Sequence, residues 1–193
     1  EGPPMNSGQM YPDAVAGTLA AGAIATAIYE RNRSGEGQYI DLSMQEANLT
    51  FVGDAVVEYM ETGQMRARMG NRHPAFAPHG MYVSSDGSWL ALACESEADW
   101  HELCRLVPDL DSSLDQLARK AQEDAIDAAV SAWVSSRTRS DALAALLGAG
   151  LPAAPVLDAA ELASDENLRR RDVVVDVTHP EAGTWAQVAS PFH

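Results

Sequence analysis

Asp13 follows Pro12 and heads an Ala- and Gly-rich stretch, residues 13–32 (DAVAGTLAAGAIATAIYERN). A carboxylate at a helix start meets the positive end of the helix dipole, so the plainest role for this aspartate is an N-cap. The same placement suits a nucleophile, because backbone N–H groups at a helix start orient a carboxylate and stabilise an oxyanion that develops beside it. The two roles are compatible, and spacing alone leaves both standing.

A second group falls in residues 62–85, which hold Arg66, Arg68, Arg72, His73 and His79 but no Asp or Glu. Such a stretch is either a solvated basic loop or a seat for a phosphate or carboxylate. His73 and His79 lie six residues apart around two prolines, a poor metal spacing, and read as packing or turn residues. Glu97 stands three residues before Trp100, and a favourable acid in a first helical turn is its simplest role. Cys94 and Cys104 have neither CxxC spacing nor a flanking histidine pair, which argues against a disulfide framework and a zinc site. GxGxxG, P-loop, GxSxG and HExxH motifs are absent. The four tryptophans and seven methionines are more simply core than ligand contacts, with Met44 as the exception.

Composition narrows the partners. The chain has 193 residues, 46% of them hydrophobic, enough for one domain or a domain and a half. Its net charge of −15 repels nucleic acid and anionic membrane surfaces. No apolar run approaches the ~20 residues of a membrane span, and EGPPMNSGQM has neither a basic nor an apolar signal region, so a reducing cytoplasm is the expected compartment. The chain opens inside a Gly/Pro turn and closes on SPFH after a strand-like run, and so reads as an excerpt.

The elements that must position these residues follow from periodicity. Residues 13–32 form a helix in which Gly17 and Gly22, each costing roughly 1 kcal/mol relative to Ala, imply close packing or close ligand approach. Residues 38–43 (QYIDLS) alternate like a strand, and helical spacing then runs from Met44 until Gly63. A hairpin around Asp86-Gly87, a helix over 96–107, and helices over 112–148 with a break near SSRTRSD come next. A short AAPVL strand, helical turns around residues 161–171, and a second hairpin bent at 179–183 complete a mixed α/β chain.

The ordered series GPPMNSG, YPDAVAG, ERNRSGEGQYIDLSMQEA, GNRHPAFAPHGMY, DGSWLALA, EADWHELC and GLPAAPVLDAAEL closely resembles family III CoA-transferases. The resemblance runs from residue 2 to about residue 170. It implies a family III fold in which residues 1–66 belong to the large domain and residues 67–193 to a smaller α+β domain with the start of a return segment. Most of the CoA-binding half and the last helix would lie outside these residues. It also implies an interlocked homodimer, coenzyme A or acyl-CoA and a small carboxylic acid as reactants, and no metal or nucleotide triphosphate.

By position in that resemblance, Asp13 matches the catalytic aspartate and Met44 a position near CoA. Arg72 is a candidate CoA contact. Gly70, Asn71, His73 and His79 belong to an active-site loop or wall, and Glu97 falls where racemase-like members place an acid. The loop has no GGGG run, which argues against a formyl or oxalate specialisation. Two alternatives remain: an α-methylacyl-CoA racemase, disfavoured because DAVAG replaces the DFGGG type, and an inactive fragment serving in dimerisation.

Overall fold

A computed structural model of the chain describes Gly8 and residues 10–190. These fall into two compact units, Glu1–Arg68 and Met69–His193. Residues 2–7 of the GPPMNSG segment and the closing PFH lie outside the described residues.

In the first unit, α1 spans Tyr11–Ser34. Pro12 is admitted because first-turn N–H groups have no helical acceptor to lose, and Arg31 and Arg33 favour the C-terminal dipole end. Gly35, at φ +79°, closes the helix in the left-handed conformation and returns its N–H to the Arg31 carbonyl at 2.8 Å. Asp13 is not the cap. With Pro12 inside the first turn, the helix starts earlier than expected, Met10 takes the cap position without a side-chain bond, and Asp13 becomes the third helical residue. The close approach expected at Gly17 and Gly22 is not made among the described residues, since a Cβ on either would meet nothing within 4 Å.

Residues 36–43 form no strand. Alternation supplies only one face, and a strand needs a ladder partner, which this stretch lacks among the described residues. The following helix is interrupted: α2 spans Met44–Leu49, a 3-10 turn covers Thr50–Val52, and α3 spans Gly53–Thr62. Ser43 caps α2 by accepting from the Glu46 N–H, and the Thr50 hydroxyl donates to the Ala47 carbonyl at 2.7 Å, competing with the regular ladder.

In the second unit, β1 (His79–Val83), β2 (Trp89–Ala93) and β3 (Ala153–Val156) form an antiparallel sheet with β2 in the middle. Gly87, at φ +77°, makes the β1–β2 turn possible. Then come α4 (Glu97–Leu106), opened by a Ser96–Asp99 capping box, α5 (Gln116–Ala121), α6 (Glu123–Ser135) and α7 (Arg139–Gly148). Strand period 2 sends Leu90 and Leu92 to one face of β2, and helical period sends Ile126, Val130 and Val134 to one face of α6. They meet Trp100, Leu103 and Leu146 in the core.

After β3 the chain forms α8 (Ala159–Ser164), α9 (Glu166–Arg170) and a hairpin of β4 (Val174–His179) with β5 (Gly183–Val188). Of the tryptophans, Trp100 and Trp133 are core residues, whereas Trp89 and Trp185 are exposed. No described methionine is buried in the core; Met44, Met60, Met65 and Met81 are exposed. Among the described residues no helix is long and apolar enough to cross a membrane.

Candidate active site

The first unit places Asp13 on the exposed first turn of α1, where its carboxylate makes no hydrogen bond or ion pair with another described residue. Helix α2 packs along α1 and brings Met44 to the same end. Tyr11, Pro12, Met44, Gln45, Asn48, Leu49 and Val52 border a cavity of about 480 Å³. The residues immediately before Asp13 therefore share a wall with Met44. Asn48 was not singled out from sequence: its amide donates to the Met44 carbonyl at 2.7 Å, while its Oδ1 is buried without a partner among the described residues. The available signal was its position four residues after Met44, one helical turn away on the same face.

The second unit gathers most of the predicted loop residues. Gly70, Asn71, Arg72 and His79 border a cavity of about 590 Å³ together with β1, β2 and the start of β3. Gly70 makes the entry turn at φ +62°. His73 does not border it. Its ring stacks on Phe76 at 4.5 Å, and its Nδ1 accepts from the N–H groups of Ala75 and Phe76 at 3.1 and 3.3 Å, a turn role as expected. His79 Nδ1 lies 2.7 Å from the Asn71 carbonyl oxygen. A carbonyl only accepts, so Nδ1 carries the proton in this contact.

Arg72 is held by carboxylates of α6. Its Nη2 donates to Asp124 at 2.6 Å and Asp127 at 2.8 Å, and Glu123 lies 3.6 Å from Nη1. Hydrogen bonds to Asp124 and then Asp127 hold the guanidinium well above its ordinary range. Asp127 also accepts from the Tyr82 hydroxyl at 2.8 Å, and burial, ahead of the Asp127 charge, pushes that phenol up. Lys120 bridges Glu123 and the His73 carbonyl, each at 2.7 Å, and Gln116 donates to the Ala75 carbonyl at 3.1 Å. Arg66 likewise bonds Asp54 at 2.6 Å and Glu58 at 2.8 Å. At Arg66 and Arg72 the basic stretch is thus matched by the chain's own acids, which lie outside it in sequence.

Glu97 borders neither cavity. It opens α4 and accepts two hydrogen bonds from Arg119 at 2.6 and 2.8 Å. The hydrogen bond from Arg119 is the main reason its carboxyl lies below the usual range.

The model of CoA-transferase family III matches residues 1–193. The chain belongs to that family. Its sequence is 30% identical over 192 residues to succinyl-CoA:mesaconate CoA-transferase of Haloarcula marismortui, covering 98% of this chain and 48% of the relative. It is 31% identical over 181 residues to acetyl-CoA:oxalate CoA-transferase of Acetobacter aceti, covering 91% and 46%. A CaiB/BaiF family protein from Brucella suis matches this family III chain in structure with a TM-score of 0.74 and 26% identity, over 99% of this chain and 54% of that one. The chain spans about half the length of the curated relatives it matches.

Proposed function

We propose that this family III chain moves CoA from an acyl-CoA thioester to a free carboxylic acid, with Asp13 as the nucleophile. The observation that carries the reading is the convergence of the Asp13 helix start and Met44 on one cavity. An exposed carboxylate with no side-chain partner among the described residues is free to attack, and its place in the first turn of α1 sets it at the positive end of the helix dipole, where developing negative charge is stabilised. The transfer named for the relatives, between acyl-CoA and carboxylate, supports the same reaction class.

An Asp13 oxygen attacks the donor carbonyl carbon, the C–S bond breaks, and CoA thiolate leaves a mixed anhydride. The thiolate attacks the Asp13 carbonyl carbon, the anhydride C–O bond breaks, and the donor acid departs from an aspartyl-CoA thioester. An acceptor carboxylate attacks that thioester and releases CoA thiolate, which then attacks the acceptor acyl carbon and regenerates the Asp13 carboxylate. Each step exchanges one acyl bond for another, so the balanced reaction consumes neither a nucleoside triphosphate nor a redox equivalent. Met44 is proposed as a CoA contact beside Asp13 in the first unit; within the second unit, the 70–79 loop is proposed as an acyl-contacting wall, with Arg72 positioning it. The active species is proposed as a cytoplasmic homodimer of the whole protein.

The test is chemical trapping. Full protein incubated with acyl-CoA and quenched with hydroxylamine or borohydride should carry its modification on the peptide containing Asp13 when mapped by mass spectrometry. A label on another residue, or full turnover in Asp13→Ala, overturns the assignment.

A further inference from the structure

The second-unit cavity of about 590 Å³ has a small-residue floor, from Ala91 and Ala93 on β2 and Pro152 to Ala154 leading into β3. Its polar rim is Asn71, Arg72 and His79. Charge at that rim decides what the cavity accepts. Arg72 and Lys120 are two cations, and they face three carboxylates, Glu123, Asp124 and Asp127. A carboxylate or phosphate entering beside Arg72 would have to compete with acids already seated at 2.6 and 2.8 Å. The rim therefore disfavours an anion.

His79 supplies the complementary feature. Its Nδ1–H is committed to the Asn71 carbonyl at 2.7 Å, so whenever the ring is neutral Nε2 is the nitrogen that carries the lone pair. Nε2 has no partner among the described residues, and the nearest ring, that of His73, is tilted with its centroid 5.5 Å away. Asn71 is in turn held beside the latch of Arg72 onto α6. The ring is thus set before any ligand arrives.

We propose that this cavity binds an uncharged acyl group bearing a hydroxyl, whose O–H donates to His79 Nε2, with Arg72 as the positioning residue for the Asn71–His79 pair. The cavity's polarity and tautomer stand on the second unit alone. Naming the ligand an acyl group rests on the proposed CoA transfer.

The experiment separates the two. Nitrogen-15 NMR of the full chain at pH 8 reads the His79 tautomer without any variant, and should show the proton on Nδ1. Titration with S-lactoyl-N-acetylcysteamine should shift the Nε2 resonance and bind about fivefold more tightly than S-propionyl-N-acetylcysteamine, which lacks the hydroxyl, as expected for one hydrogen bond. Free lactate should bind more weakly than its thioester. His79→Phe should erase the lactoyl preference, whereas Asp13→Ala should retain it, so failure of the Asp13 chemistry leaves this result intact. A proton on Nε2, equal binding of the two thioesters, or lactate as the tightest ligand overturns the proposal.

Discussion

Arg119 Nη2 lies 2.6 Å from Glu97 Oε1, joining a side chain that is 4% exposed to one that is 59% exposed. The guanidinium also donates to the Leu114 carbonyl at 3.0 Å and sits 5.3 Å from the centre of the Trp100 ring. A buried cation is therefore answered by one carboxylate that keeps its contact with water. Glu97→Gln should lower the thermal midpoint, because it leaves Arg119 desolvated without a counter-charge. Since Arg119 depresses the Glu97 carboxyl, the pair's contribution is fully present above the ordinary glutamate range and is lost as pH falls through the lowered value. Urea midpoints of wild type and Glu97→Gln should consequently differ at pH 7 and converge in strong acid.

Leu90 occupies the central strand and is fully buried against α6 and α7 residues of the core. Leu90→Ala should cost about 2–5 kcal/mol, read as a lower denaturant midpoint with an unchanged slope.

Arg72→Ala should release residues 70–79 from α6. Hydrogen exchange should accelerate across that segment while amides of β2 and α4 keep their rates. Equal exchange in both proteins would show that the Lys120 and Gln116 contacts suffice.

Much of this architecture could be read from the sequence, and the failures have physical causes. The hairpin at Asp86-Gly87 and the Ser96 helix start announce themselves through local chemistry, a left-handed glycine and a capping box. Residues 38–43 carried only an alternating pattern and form no strand, because alternation says nothing about a partner. At the candidate site, Gly70, Asn71, Arg72 and His79 were legible as a group. What Arg72 touches was not, since Asp124 and Asp127 lie more than fifty positions away on a helix whose inward face only the fold reveals. Glu97 was rightly a first-turn acid, but its partner Arg119 was invisible for the same reason.

Met44→Ala should raise KM for acyl-CoA by up to roughly tenfold with little change in kcat, the result of losing apolar wall that touches ground state and transition state alike. Asp13→Ala should instead lower kcat by roughly 10³-fold or more. Steady-state kinetics on the full protein distinguishes the two patterns.

Asp86 accepts from the Ser84 hydroxyl and from the N–H groups of Ser88 and Arg139, and its carboxyl is drawn down to about 2, chiefly by Ser84. Ser84→Ala should move that titration back toward the ordinary aspartate range. A carbon-13 NMR titration of the Asp86 carboxyl reads the shift directly, and the stability that wild type loses as pH falls from the ordinary aspartate range toward about 2 should be smaller in the variant.

The place of β3 beside β2 also governs the order in which the second unit is built. Strands β1 and β2 meet through a five-residue turn, whereas β3 reaches β2 only after about sixty intervening residues have been threaded through α4 to α7. Closing that loop early would spend entropy before any helix could repay it, so β3 should dock last, with its backbone amides acquiring protection after those of the β1–β2 hairpin. The small-residue floor of the cavity would then be completed only in the final step of folding.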